Sequence, residues 1–388
     1  MEYKALNEKY NGFLHPLVEI EVNGKSITDP GGKVAVGISN LNIDLSAGFE
    51  ASQATFNMYN VYNYEKAKFN FDVVKKFVVL GSSVKIYAGY EKKVTEIFTG
   101  VIVKMNFVVE EGDVGHVEIT CMDVKAVMMA NRYNRRLKAD TYCDAVKEIF
   151  DQNIYQSMKN AGVIEDIKID NTPDKQIGSP SAGGDKDTDK TIEMVGESDY
   201  EFLVKVARKF NFDFFVLAGV VYFRKAKSDQ TKQITITPKA KIVRLSVEYD
   251  MTGLVESIEV RGLDVGKAKV VSEKKKNSYK LSQGNKAKAL ISGTKFVYVD
   301  PTVSTSSDAS SRASYLFEEM THRYGTLELD LVGIPEITPG RYITISDVGT
   351  AVSNDFYVQS VKHIFNSTGR FTTRIIGKTN QMSTGGLF

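Results

Sequence analysis

The sequence predicts a mainly β protein with an α+β insert, in which two antiparallel β-barrel segments flank a small helix-and-hairpin module. Three observations carry this. Residues 17–124 alternate apolar and polar with a period of two and are broken often by turn residues. The same pattern returns after Thr235. Between the two, residues 196–223 switch to helical spacing and then to a pair of short apolar runs.

In the first segment Val18, Ile20 and Val22 alternate with Glu19, Glu21 and Asn23, and Asn23-Gly24 signals a tight hairpin turn. Further strands are expected near 34–45, 54–61, 83–88, 96–109 and 114–122. In the long one Val101, Val103, Met105 and Phe107 should share a face opposite Ile102, Lys104 and Asn106. Residues 65–76 interrupt the strands as a short helix or loop. This gives a first barrel over 1–127.

The module over 128–236 begins with a helix started by Thr141 and Asp144, with Tyr142, Val146, Ile149 and Phe150 as its stripe. Residues 171–190, rich in Gly, Ser, Pro, Asp and Lys, read as an exposed loop. Ser198 followed by Glu201 is a capping box, the hydroxyl and the carboxylate each satisfying a free helix amide. Behind it Tyr200, Leu203, Val206, Ala207 and Phe210 face a core, and Ala218-Gly219 hinges a hairpin packed on this helix.

The second barrel, 237–388, carries a polar, lysine-rich excursion at about 264–300 around Lys274, Lys275 and Lys276. A helix follows at about 307–323, with Ala309, Ala313, Leu316 and Met320 on one stripe and Gly325 as its stop. Strands then close the chain. Two β-rich segments of similar design amount to a weak internal repeat.

Composition excludes several classes. Across 388 residues, 42% hydrophobic and 25% charged content is that of a soluble globular protein, and a net charge of +2 exerts no global pull on nucleic acid or membrane. Cys121 and Cys143 cannot build a disulfide framework or a zinc pattern and read as buried small hydrophobes of a reducing compartment. The first residues show no signal-peptide core and no stretch is long enough to span a membrane.

Catalytic motifs do not emerge. The histidines His15, His116, His322 and His363 form no HExxH, and no G-x-S-x-G, Walker A or dinucleotide-binding glycine pattern occurs. Glu318 and His322 lie four apart on a helix, but without a third ligand they read as a solvated face. Glu110-Glu111 sits at a hairpin tip rather than across a cleft. Capping accounts for Glu201, and packing or hydrogen bonding for His363. No enzyme activity, cofactor or metal is expected.

The stretch ESDYEFLVKVARKFNF, with Glu197, Ser198, Tyr200, Glu201 and Phe202, resembles the most recognisable motif of the VgrG and phage late-control D family. Residues 79–102, with Gly89-Tyr90 and Phe98-x-Gly100, look like that family's first tube-like barrel. GIPEITPGRYITI, with Gly333, Pro335, Pro339 and Gly340, then FYVQSVKHIF with His363, resembles the close of its second. The resemblance implies two tail-tube-like barrels side by side in a baseplate hub of a contractile tail, phage-tail-like bacteriocin or other injection machine. Three subunits would form a pseudo-sixfold torus adapting a sixfold tube to a threefold spike. Its implied partners are further copies of itself, the tube protein, a spike protein, and other baseplate and tape-measure proteins, without specific nucleic acid or membrane insertion. It implies synthesis in the bacterial cytoplasm and assembly into the particle. The sequence ends soon after the second barrel, so the spike is expected on a separate chain, with Gly385, Gly386, Leu387 and Phe388 pointing toward it. Two other readings are a tail-tip protein binding carbohydrate or a receptor, and a tail-associated peptidoglycan hydrolase.

Overall fold

Helix α1 (Tyr3–Lys9) opens the chain in the computed structural model, which describes residues 2–28, 36–174, 192–264, 267–276 and 289–382. The first β segment follows as β1 (Pro16–Val22), β2 (Lys25–Ser26), β3 (Gly37–Ser46), β4 (Gln53–Tyr59), β5 (Tyr62–Asn63) and β6 (Lys68–Phe69). Helix α2 (Phe71–Phe77) leads on to β7 (Ser83–Tyr90), β8 (Lys93–Val108) and β9 (His116–Met122). The turn between β1 and β2 has positive φ at both Asn23 and Gly24, the backbone an Asn-Gly pair tolerates best. Neighbouring strands run β3-β4-β9-β8-β7-β1-β2, each pair antiparallel.

The shared face expected along the long strand is broken. A register shift between Ile102 and Lys104 marks a bulge, which turns Ile102 into the core and leaves Val103 and Phe107 exposed. Simple alternation could not anticipate the extra residue.

Between the β segments lie α3 (Lys125–Met128), β10 (Tyr133–Leu137), α4 (Tyr142–Phe150), α5 (Asn153–Asn160), β11 (Asp166–Ile169), β12 (Ile192–Glu197), α6 (Asp199–Phe210), β13 (Phe212–Leu217) and β14 (Val220–Lys225). The Ala218-Gly219 hinge has positive φ at both residues and closes the β13–β14 hairpin. Phe202, Leu203, Val206 and Ala207 of α6 are buried against Phe214, Val221 and Phe223 of the hairpin and Val146 and Ile149 of α4. Each large side chain buried here contributes roughly 1.5–3 kcal/mol. Helix α6 stops at Asn211, whose left-handed backbone asparagine adopts more readily than other side chains. Most of the loop expected at 171–190 lies outside the described residues.

The second β segment comprises β15 (Lys232–Ile236), β16 (Ile242–Tyr249), β17 (Ser257–Asp264), β18 (Lys269–Lys276), β19 (Lys295–Val299), helix α7 (Ser306–Thr321), β20 (Gly325–Val332), β21 (Tyr342–Ile345), β22 (Asn354–Phe365) and β23 (Phe371–Thr379). Within 264–300, where a polar excursion is expected, Lys274, Lys275 and Lys276 instead lie on β18 in a three-stranded sheet, β18-β17-β19, packed on α7. The lysines outweigh the weak alternation of Val270, Val271 and Ser272 in a composition-based reading. Gly325 does not stop α7, which caps at His322. It starts β20, where a Cβ would meet Thr379 Cγ2 at 2.4 Å.

The two β segments join into one 13-stranded sheet through an antiparallel ladder between β3 and β22, Leu41 to Ser46 against Phe365 to Ser360. Edge groups that would otherwise be exposed are satisfied there. Inward residues of both halves, from Ile43, Phe56 and Ile86 to Leu329, Phe356 and Ile375, belong to one core. The fold is thus mainly β with an α+β module set against a continuous sheet.

Candidate functional site

The sequence-singled residues gather at the joints between these parts. At the start of α6, Glu201 N–H donates to Ser198 Oγ at 3.1 Å while Ser198 N–H donates to Glu201 Oε2 at 2.9 Å, the reciprocal capping box. Glu201 also pairs with Arg132, and these contacts hold its carboxyl below the usual range, the Ser198 amide foremost. Glu197 pairs with Lys205, Phe202 is fully buried, and Tyr200 donates its hydroxyl to the Phe49 carbonyl at 3.1 Å in the β3–β4 connection. Asp199, passed over in the sequence, is buried and accepts from Tyr133 and from Tyr155 (2.6 Å). Those partners are 66 and 44 residues away, so no local pattern reveals them.

Lys125 ties the first β half to the module. Its side chain is 0% exposed, and its Nζ lies 2.8–3.3 Å from the carbonyls of Gly48, Phe49 and Glu50 and of Phe214 on β13. Burial pushes its pKa down to about 8 against the pull of Asp123 and Glu50. Asp123 accepts from the backbone amides of Ser52 (2.8 Å) and Lys125 (2.9 Å); burial raises its pKa, and Lys125 partly offsets that. Cys121, on β9, is buried as expected, as is Cys143 on α4.

The loop 333–340 ties all three parts. Tyr90 of the first half donates its hydroxyl to the Gly333 carbonyl at 2.7 Å, and Glu336 accepts from Lys9 and Tyr10, both at 2.6 Å. A Cβ at Gly333 would sit 2.1 Å from the Phe371 ring. Pro335 and Pro339 are buried. Gly340 has φ +87°, and a Cβ there would meet Phe215 Cζ of the module at 2.8 Å; its carbonyl accepts from Arg224. His363 is fully buried behind the loop, Nδ1 3.0 Å from Thr373 Oγ1, which itself accepts from the Ile334 amide at 2.9 Å. Burial pushes His363 down to about 4, leaving a neutral imidazole that braces the turn. Gly333, Pro335, Pro339, Gly340 and His363 therefore form one structural cluster. Glu197, Ser198, Tyr200, Glu201 and Phe202 belong to a separate one on α6.

A polar cleft of about 380 Å³ opens where α6, α7 and the sheet meet, lined by Arg208, Asp213, Lys227, Glu319, His322 and Tyr357 among others. Asp213 accepts from the Lys227 amide (2.9 Å) and the Tyr357 hydroxyl (3.0 Å). Burial pulls the Lys227 ammonium down, but Glu318, Asp213 and Glu319 outweigh it and raise its pKa. Glu318 also accepts from Asn211 at 2.6 Å, and burial, with Lys227 nearby, pushes His322 down to about 3. Glu318 and His322 are thus part of a helix–hairpin joint rather than the solvated face expected. Among the described residues no three His, Cys, Asp or Glu side chains group as metal ligands. No helix among them is long and apolar enough to cross a membrane. Gly385, Gly386, Leu387 and Phe388 lie outside the described residues.

The fold is that of phage tail proteins. Over 94% of this chain and 97% of the other, it matches the tail protein from Neisseria meningitidis MC58 (TM-score 0.65, 12% identity). It matches the 43 kDa tail protein of prophage MuSo2 from Shewanella oneidensis over 93% and 98% (TM-score 0.63, 13% identity). The E. coli c3393 protein matches over 92% and 76% (TM-score 0.53, 10% identity); it is described as a type VI secretion component similar to the T4 tail proteins gp27 and gp5. No curated protein matches by sequence. The sequence profile of the Alg8 N-terminal domain matches residues 17–367, nearly the whole chain, and the protein belongs to that family.

Proposed function

We propose that the chain is a structural hub in the baseplate of a contractile tail or related injection machine. It forms a threefold ring of pseudo-sixfold outline, with the sixfold tube on one side and a threefold spike on the other. The observation that carries this reading is the β3–β22 ladder, which sets two β segments side by side in one sheet. Three copies would present six such segments, and a closed ring suits cyclic symmetry. The likeness to tail proteins supports it.

On this reading the protein works by shape, without enzyme activity or cofactor. Its partners are itself, the tube protein, a spike, and other baseplate and tape-measure proteins. It is made in the bacterial cytoplasm and assembled into the particle. Three of its charged groups are engaged in joints: Lys125 in a carbonyl cage, Lys227 between carboxylates, Glu201 in a cap. The test is co-assembly with the cognate tube protein, viewed by electron microscopy. Tubes capped at one end by the chain are expected. Free tubes alongside unbound chain, together with lysis of purified cell wall or binding in a glycan screen, would move the assignment to a hydrolase or a receptor-binding protein.

A further inference from the structure

The small sheet β18-β17-β19 has two unlike faces. Alternation places Ile258 and Val260 against Ala309 and Ala313 of α7. The register then puts Glu259, Arg261 and Leu263 of β17 on the opposite face, beside Val270, Ser272, Lys274 and Lys276 of β18 and Lys295, Val297 and Val299 of β19. That face is exposed and apolar at Leu263, Val270 (64%), Val297 and Val299 (70%). Its acid, Glu259, is held by Lys295, Arg261 and Ser272. Among the described residues no carboxylate pairs with Lys274 or Lys276. The face is therefore apolar with an uncompensated basic rim, which calls for an apolar partner with an acidic one.

The chain carries such a surface elsewhere. The β8 ladder with β7 ends at Val101, whereas its ladder with β9 continues to Val108. β4 follows β9 as far as Val117, so only the β8–β9 turn at 109–115 extends past the last ladder pair, Val108 with His116. The hairpin end exposes Phe107, Val109 and Val114 around Glu110, Glu111 and Asp113. Among the described residues Asp113 accepts only from its neighbour's amide, Val114 at 2.7 Å, and no cation pairs with Glu110 or Glu111.

We infer that the β8–β9 hairpin end of one copy docks on the outer face of β18-β17-β19 in a second copy. Val109 and Val114 cover Val270, Val297 and Val299, and Glu110 and Glu111 meet Lys274 and Lys276. The two surfaces differ, so the contact is head-to-tail and closes into a ring or propagates according to its rotation. It deepens the hub reading and rests on that reading's ring. Among the described residues the basic face carries no aromatic on which bases could stack, which favours a protein partner over nucleic acid.

Sedimentation velocity over a concentration series tests this with three variants of the full chain. E110K/E111K and K274E/K276E each place like charges across the contact and should weaken self-association by about tenfold or more, without lowering the melting temperature. Combining all four changes should restore it to within a few-fold. Val299→Asp should weaken it with the acidic tip intact. Rings that persist unchanged in every charge variant would overturn this contact and leave the hub reading standing. Failure of the combined variant to recover would likewise show that these charges do not face each other. A wild-type chain that stays monomeric throughout would overturn both.

Discussion

The two joints that hold the module against the sheet solve the same problem by opposite chemistry. At Lys125 a buried charge gathers four backbone carbonyls from separate parts of the chain. At 333–340 the joint is made by missing atoms, the absent Cβ of Gly333 and Gly340, and by a neutral histidine. A charged tie fixes direction at a cost in desolvation, whereas a steric one fits only a single backbone path. Both joints fix one mutual orientation of the module and the sheet.

Removing the charge should hurt most. Lys125→Met leaves carbonyls unsatisfied and Asp123 without its cation, and should cost about 3–5 kcal/mol in urea unfolding. Equal stability of the variant and the parent would mean that the cage contributes nothing net.

The pH dependence separates the joints. His363, at about 4 in the fold against 6.5 ordinarily, is neutral at pH 7, and the unfolded chain binds its proton first on acidification. Stability should therefore fall from pH 6.5 to 4, by on the order of 3 kcal/mol from this group. His322 titrates in an overlapping window, so the quantity to measure is the difference between the parent and His363→Gln. Lys125, at about 8 against 10.5, is charged at pH 7, so its penalty is already present and is relieved as pH rises from 8 to 10.5. Relative to Lys125→Met, the parent should gain stability across that alkaline window. A flat difference would show that the ammonium is not desolvated there.

At Gly340 an added methyl forces a left-handed residue into Phe215, and Gly340→Ala should cost about 1–3 kcal/mol with no new pH dependence. The smallest effect is at the cap: Ser198→Ala should lower stability by about 1 kcal/mol, seen as a small shift in the melting midpoint.

What was legible in the sequence follows the same division. The capping box, the Asn23-Gly24 and Ala218-Gly219 turns and the α6 stripe are set by neighbours within a few residues, so their patterns read directly. The 333–340 motif was recognised through resemblance, but its reason is visible only once Tyr90 and Phe215 are beside it. Lys125 and Asp123 gave no signal because their partners lie up to 89 residues away. Helix α1 was missed for a related reason. It is held by distant contacts, Tyr10 to Glu336 and Tyr3 to the Lys241 amide, rather than by a strong stripe of its own. Charge misled at β18, where lysines on an exposed strand look like a loop.

The most direct test of the account is electron microscopy of the purified chain at rising concentration. Closed threefold rings with a central channel and six β segments around it are expected. Single compact particles at every concentration, with and without tube protein, would contradict it.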